Sequence, residues 1–221
     1  MPTPSVTLGV ASPHVIDVAS AYATFAANGT YAKPFIVNEV LGPNKGVLYQ
    51  GQIQASQVFQ PDVMADLTYA LQQVTKYGTG AAASVGIKQP TAGKTGTTTD
   101  NASAWFNGYT PQFATSVAFF RDDATQSLNG IGGLNAVTGG SFPARIWNRY
   151  TKSILKDQPV VPFPAPANIG GTDPTSYTSA IPTLDPALAI TPTPTPSKPT
   201  KKPTPSPTAQ PKSTKTPAKK R

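Results

Sequence analysis

The sequence predicts a protein of the α/β (α+β) class, in which amphipathic helices accompany a mainly antiparallel sheet. Three segments repeat apolar residues at helical spacing, and several short strand-like runs are joined by turn residues. A change in composition near residue 158 predicts that the folded part covers residues 1–157.

Three helices are predicted. The first helix begins with Ser12 as N-cap and Pro13 in the first turn, and it ends at Gly29, which suits the left-handed conformation of a helix end. The second opens at Pro61, and the third lies near 143–155. Their predicted buried faces consist of Val15, Val18, Tyr22 and Phe25, then Val63, Leu67, Ala70, Leu71 and Val74, and finally Ile146, Trp147, Tyr150 and Ile154.

Five strand-like runs lie between these helices. "YAKPFIVNEVL" and "GVLYQGQI" surround the turn "GPNKG", and Pro34 places the first run at a sheet edge or a strand start. "TAGKTGTT", "SAWFNGYT" and "FATSVAFF" follow the second helix. Turn residues join these three runs, so they are predicted to form an antiparallel meander.

The last part of the chain has a different composition. Sixteen of the 25 prolines fall after residue 158, together with eight Lys/Arg and only two Asp/Glu. Residues 158–189 are predicted to be a proline-rich linker, and residues 190–221 a disordered basic Pro/Thr/Lys tail. The positive charge therefore belongs mostly to the tail, and it does not predict nucleic-acid binding by the folded part.

Several function classes are excluded by residue content. The chain has no cysteine and one histidine, His14, so it offers neither thiolate nor multi-histidine metal sites. It has no run of 18 apolar residues, and its first residues lack the charged start and apolar run that predict a signal peptide. Gly93-Lys94-Thr95 suggests a phosphate-binding P-loop, but that motif needs a glycine where Lys88 stands.

The most informative stretch is "AGKTGTTTDNASAWFNGYTP", in which Lys94-Thr95-Gly96 stands among small and hydroxyl residues. Together with "ASPHVIDVASAYATFAANGTYAKPFIV", "GTGAAA" and "GGSFPARIW", it resembles the C-terminal side of the transpeptidase domain of class A, bifunctional penicillin-binding proteins. The resemblance covers roughly residues 5–156. It implies the penicillin-binding and serine β-lactamase-like fold, with its N-terminal part missing here.

The family resemblance implies a D,D-transpeptidase that cross-links peptidoglycan through a serine acyl-enzyme, without a cofactor. Its partners are D-Ala-D-Ala stem peptides and β-lactams. Lys94 would supply a cation to the substrate carboxylate, Thr95 and Thr97 hydroxyl groups, and Gly96 room for the substrate backbone. The backbone N–H of Thr97 would be one donor to the oxyanion, which makes Thr97 the catalytic candidate in this chain.

The family's nucleophile, the serine of an S-x-x-K motif that precedes K-T-G, has no counterpart before Lys94. Ser153 and Lys156 have the spacing but come after K-T-G, so a position on a helix surface is expected. Thr99-Asp100-Asn101 is interpreted as the turn after the strand. We therefore expect the C-terminal portion of a larger enzyme, inactive by itself, whose full-length parent is anchored to the membrane outside the cytoplasm.

Two alternative hypotheses remain open at this stage. The chain could be a non-catalytic module that binds stem peptides without acylation. Alternatively, the folded part could support a basic tail that contacts anionic cell-wall polymer, for which a purely solubilising tail is the simpler interpretation.

Overall fold

The computed structural model describes residue 9 and residues 11–123 and 125–170. Four α-helices and seven strands lie within this part of the chain. They are α1 (Val15–Ala26), β1 (Thr30–Ala32), β2 (Glu39–Leu41), β3 (Val47–Gln50), β4 (Ala55–Gln57), α2 (Pro61–Lys76), α3 (Ala81–Ser84), β5 (Ala92–Thr97), β6 (Ser103–Tyr109), β7 (Ala114–Phe120) and α4 (Phe142–Ile154).

The predicted meander is confirmed. β5, β6 and β7 form a three-stranded antiparallel sheet in that order, so β5 lies at one edge. The K-T-G residues lie in the middle of β5, where Lys94 is opposite Asn107 and Gly96 is opposite Trp105. Short connections of turn residues force each strand to pair with the next one, which is why local sequence predicted this sheet.

Helices pack on both faces of the sheet. Phe106 of β6 is fully buried and meets Trp147 of α4 edge to face, with ring centroids 5.4 Å apart. Tyr109 lies on the opposite face of β6 and meets Tyr22 of α1 at 6.1 Å. Since side chains of a strand alternate between the two faces, α4 covers one face and α1 the other.

Helix α2 has the predicted bounds, but its buried face differs from the prediction. Val63 is 41% exposed and Ala70 is also exposed, whereas Thr68 and Thr75 are buried. Thr68 Oγ1 lies 2.8 Å from the Tyr109 hydroxyl, and Thr75 Oγ1 donates to the Thr91 carbonyl at 2.7 Å. These hydrogen bonds satisfy polar groups that would otherwise be costly to bury, so the helix turns a threonine-containing face inwards.

Burial also affects the partner of Thr68. It raises the pKa of the Tyr109 phenol to about 12, against a smaller opposing effect of the Thr68 hydrogen bond. The phenol therefore stays neutral at physiological pH, and either hydroxyl can be the donor in its hydrogen bond with Thr68.

Helix α4 is also close to its predicted range but rotated from its predicted orientation. Trp147 and Ile154 lie inwards as expected, whereas Ile146 is 44% and Tyr150 is 51% exposed. Ala144 takes the buried position beside Trp147. The small side chain lets the helix approach the sheet closely, which the apolar pattern alone did not indicate.

The N-terminal strands pair differently from the prediction. The hairpin around "GPNKG" is confirmed as β2 and β3, but the first predicted run breaks at Pro34, outside any strand. Its first part, β1, pairs instead with β4. Proline lacks the N–H that would continue the ladder, so the run divides into two strands with different partners.

Helix α1 begins later than predicted. His14 is its N-cap, with an extended backbone and no side-chain capping bond, so the predicted cap residue Ser12 lies before the helix. The predicted end is confirmed, since Gly29 has a φ of +90° and donates to the Thr24 carbonyl at 2.8 Å. The predicted inward residues Val15, Val18, Tyr22 and Phe25 are all partly buried.

Residues 158–169 run back along the domain and make specific contacts with it; we call this segment the strap. Gln112 donates to the Pro159 carbonyl at 3.0 Å, and the Phe163 ring meets Tyr109 at 5.4 Å. The Asp66 carboxylate accepts hydrogen bonds from the backbone N–H groups of Asn168 and Ile169 at 2.8 and 2.9 Å.

The predicted linker thus begins in a segment with contacts to the domain. Residues 171–189 and the tail lie outside the described residues, and the three-part division stays a prediction.

Replacing Asp66 with asparagine should release the end of the strap. The N–H of Asn168, and then that of Ile169, lowers the pKa of the Asp66 carboxyl. A lowered pKa means that the contact stabilises the fold above the ordinary pKa of an aspartate and is lost as the pH falls through the lowered value. NMR should show the amide protons of Asn168 and Ile169 shifting in acid, and shifting already at neutral pH in Asp66→Asn. The matched control is Asp62→Asn on the same helix; an equal response to it would contradict the assignment.

Candidate functional site

The two edges of β5 differ in what they contact. The Thr98 N–H donates to the Ser103 carbonyl of β6 at 3.1 Å. Because backbone groups of an antiparallel strand alternate in direction, the N–H and C=O groups of Thr95 and Thr97 point away from β6. On this outer side Thr91 is covered by Thr75 of α2. Among the described residues, no backbone hydrogen bond reaches the N–H groups of Thr95 and Thr97.

Lys94 brings its charge to this open edge. Its side chain is exposed, and its Nζ donates to the Thr95 carbonyl at 3.0 Å. That carbonyl points outwards, so the ammonium lies on the same side as the free N–H of Thr97. A cation and an unpaired N–H donor along one strand edge form a site for an anionic, extended ligand.

The two threonine hydroxyls lie on the face of β5 covered by two glycine-containing loops. Thr95 Oγ1 and Thr79 Oγ1 are 2.6 Å apart, and Thr97 Oγ1 accepts the N–H of Gly139 at 3.1 Å. The Thr97 hydroxyl proton therefore remains available to a ligand. Thr79 and Gly139 orient the two hydroxyls of the strand.

Gly139 allows its loop to approach β5 closely. A Cβ at this position would lie 2.7 Å from the Gly96 carbonyl and would also collide with that of Trp105. The loop before α4 can therefore reach Thr97 only if residue 139 lacks a side chain. Sequence reasoning assigned no role to Thr79 or Gly139, although their motifs "GTGAAA" and "GGSFPARIW" were among the resemblances.

The other candidates lie away from this edge. Ser153 is exposed on α4, and Lys156 lines a cavity beside residues 86–89. Thr99, Asp100 and Asn101 form a single turn between β5 and β6, in which Asp100 and Asn101 have positive φ. Ser153 is thus on a helix surface and Thr99-Asp100-Asn101 is a turn, as the sequence predicted. Neither motif contributes a side chain to the edge of β5.

Among the described residues, no helix is long and apolar enough to cross a membrane. Within residues 9, 11–123 and 125–170, no three His, Cys, Asp or Glu side chains gather as metal ligands would. The edge of β5 itself offers one ammonium, two hydroxyls and a backbone N–H.

Relatives of this chain share the domain. Residues 11–127 match the family described as penicillin binding protein transpeptidase domain. Penicillin-binding protein 1A of Mycolicibacterium smegmatis is 34% identical over 177 residues, which is 77% of this chain and 22% of the relative. Penicillin-binding protein 1F of Bacillus subtilis is 33% identical over 138 residues, covering 60% of this chain and 18% of the relative.

Solved structures agree with the sequence relatives. The penicillin-binding protein PonA1 of Mycobacterium tuberculosis matches with a TM-score of 0.70 and 30% identity, over 78% of this chain and 47% of that one. A PonA1 structure in complex with penicillin V matches with the same score. Penicillin-binding protein 1A of Haemophilus influenzae, at 22% identity and a TM-score of 0.65, covers 75% of this chain and 30% of that one and shares the fold.

The chain spans about a fifth of the length of these curated relatives. The matches nevertheless include every element from α1 to β7, and with them the K-T-G strand. The chain therefore belongs to the transpeptidase-domain family of the class A penicillin-binding proteins.

Proposed function

We propose that the open edge of β5 holds the terminal carboxylate of a D-Ala-D-Ala stem peptide, or of a β-lactam, during peptidoglycan D,D-transpeptidation. The observation that carries this proposal is the position of the Lys94 ammonium and the outward Thr97 N–H on one strand edge, which no other described strand pairs with. A stem peptide is extended and ends in a carboxylate, so it can lie along that edge as an added strand.

Each residue of the strand would have a separate task. Lys94 provides a point charge, and the hydroxyls of Thr95 and Thr97 donate hydrogen bonds to the carboxylate. Gly96 has no side chain above the edge, which leaves room for the peptide backbone. The N–H of Thr97 stabilises the oxyanion that forms when a serine attacks the carbonyl carbon of the scissile bond.

The attacking serine is a separate requirement. In the family it belongs to an S-x-x-K motif, and residues 1–93 contain none. We propose that these 221 residues by themselves form no acyl-enzyme, and that the β5 edge acts with a serine of that motif. The reaction belongs outside the cytoplasm, where peptidoglycan is cross-linked, and needs no cofactor.

A chimera tests this role. Residues 11–156 would replace the matching segment of the M. smegmatis relative, and acylation by a fluorescent penicillin would be followed on a denaturing gel. Lys94→Gln should slow acylation about 10- to 100-fold, because a hydrogen bond to a charged group contributes about 1.5–3 kcal/mol. The chain of 221 residues should show no covalent band.

The matched control is Lys33→Gln, which removes the same charge from an exposed site between β1 and β2. It should leave the acylation rate within about twofold of the unsubstituted chimera, since its charge is screened by solvent. Equal rates for Lys94→Gln and the unsubstituted chimera would refute the role of the strand. A covalent band on the 221-residue chain would refute the need for a second segment.

A second proposed partner rests on sequence charge alone. The tail, residues 190–221, contains eight Lys/Arg and no Asp/Glu. We propose that this basic tail contacts anionic cell-wall polymer, by an attraction that weakens as salt rises. Residues 171–221, which carry all eight of those cations, lie outside the described part of the chain.

A further inference from the structure

We propose that the cavity between residues 86–89 and the end of α4 binds a phosphate group carried by a polymer or a lipid headgroup. This cavity, which we call the lysine groove, is separate from the β5 edge. Neither the transpeptidase role nor the tail proposal depends on it.

The lysine groove has a volume of about 260 Å³. One side is the segment that leads from α3 to β5, and the other is the end of α4 with the beginning of the strap. Its lining consists of Gly86, Ile87, Lys88, Gln89, Lys152, Leu155, Lys156, Gln158 and Val160.

Among the described residues that line the lysine groove, three are cations and none is a carboxylate. Lys88, Lys152 and Lys156 come from two separate segments of the chain. Among the described residues the only ion pair is His14–Asp17, so no carboxylate within salt-bridge distance neutralises these lysines there. Like charges that converge repel each other, and a bound anion would remove that repulsion.

The position of α4 explains only part of this grouping of three lysines, because only some of them lie near the end of that helix. Lys152 lies in the last turn, where a cation complements the helix dipole. Lys88 belongs to another segment and cannot be explained in this way. The Leu155 carbonyl, which would repel an anion, already accepts the Gln158 N–H at 3.1 Å.

The lysine groove is held in shape by its own residues. Gln89 is only 8% exposed, and its Nε2 lies 3.4 Å from both the Leu155 and the Gln158 carbonyls. Gly86 has a φ of +64°, and the Lys152 Nζ lies 3.0 Å from where a Cβ at residue 86 would stand. The positive φ favours glycine at residue 86, and the Lys152 ammonium lies beside it.

The residue types favour phosphate over a planar carboxylate. Lysines act as compact point charges that suit phosphate oxygens from several directions, whereas paired recognition of carboxylates favours arginine. Among the described residues, no arginine lines the lysine groove.

The test uses the full chain and a local readout, so that binding by the tail does not interfere. Inorganic phosphate and then a glycerol-phosphate oligomer are titrated, and NMR follows the Gly86 amide and the Gln89 side-chain amide. Both signals should shift on binding. Each exposed ion pair changes an affinity by about two- to threefold, so the triple variant Lys88→Gln, Lys152→Gln, Lys156→Gln should bind about tenfold more weakly.

The matched control removes three other exposed lysines, Lys33, Lys45 and Lys76, by the same substitution. Its affinity at the lysine groove should stay within about twofold of the unsubstituted chain. Circular dichroism checks that both triple variants fold. If the first does not, Lys88→Gln alone should weaken binding about two- to threefold.

Two arms separate the possible sources of the phosphate. Stronger shifts with the soluble oligomer than with phosphatidylglycerol vesicles would indicate a wall polymer, and the reverse would indicate a lipid headgroup. Unchanged Gly86 and Gln89 signals with every probe would overturn the proposal. Equal loss of affinity in the two triple variants would overturn it as well, because the attraction would then be that of net charge alone.

Discussion

Thr97→Pro should slow penicillin acylation of the chimera about 100- to 1,000-fold more than Thr97→Ala does, the loss typical of removing one oxyanion donor. Proline has no N–H, and the N–H of Thr97 faces the open edge and not β6. The substitution therefore removes a donor from the proposed oxyanion site without removing a hydrogen bond of the ladder. Gly96, which precedes it, is already in an extended strand, as a residue before proline prefers.

The matched variant is Thr97→Ala, which keeps the backbone N–H and loses only the hydroxyl that accepts from Gly139. It should slow acylation about 10- to 100-fold, because the hydroxyl is proposed to bind the substrate carboxylate and a hydrogen bond to a charged group contributes about 1.5–3 kcal/mol. Stopped-flow measurements of the acylation rate, together with unfolding curves for both variants, would separate loss of the donor from loss of the fold. Similar rates for the two variants would show that this N–H does not stabilise the transition state.

Trp147→Ala should lower the free energy of unfolding by about 3–5 kcal/mol, the range for removing a buried aromatic side chain. Trp147 is 1% exposed and packs against Phe106. Its Nε1 lies 3.2 Å from both the Gly108 and the Thr115 carbonyls, which belong to two different strands. The substitution would leave a cavity and remove a shared donor from the centre of the sheet.

Urea unfolding followed by circular dichroism measures this effect. The matched control is Tyr150→Ala, since Tyr150 lies one turn away on α4 but is 51% exposed. Its substitution should cost less than about 1 kcal/mol. Equal losses for the two variants would contradict the orientation of α4 described above.

The orientation of α4 also matters for the proposed site. The loop that precedes this helix carries Gly139, whose N–H binds the Thr97 hydroxyl. Trp147 holds the helix against β6, and β6 in turn pairs with β5. A shift of α4 should therefore loosen Gly139 from Thr97 before it affects the strand itself.

Strands, turns and helix ends were largely predictable from the sequence. The residues of β5, β6 and β7, the hairpin around "GPNKG", the start of α2 at Pro61 and the end of α1 at Gly29 are all local features. Such features depend on turn chemistry and on the residues a few positions away, and these are visible in the sequence.

Buried faces were less predictable. Thr68 and Thr75 lie inside because the Tyr109 hydroxyl and the Thr91 carbonyl provide their hydrogen bonds. Both partners come from distant parts of the chain, so an apolar pattern along α2 could not identify them. Ile146 and Tyr150 show the converse, since nothing among the described residues buries them fully.

The sequence by itself determined that Lys94, Thr95, Gly96 and Thr97 form a strand with a charge and hydroxyls, and it identified the family. Only the tertiary structure decided that this strand lies at a sheet edge, that its outward N–H groups are unpaired among the described residues, and that Thr79 and Gly139 meet its hydroxyls. The physical reason is that a strand's hydrogen-bonding partners come from distant segments, and those segments are brought together by packing.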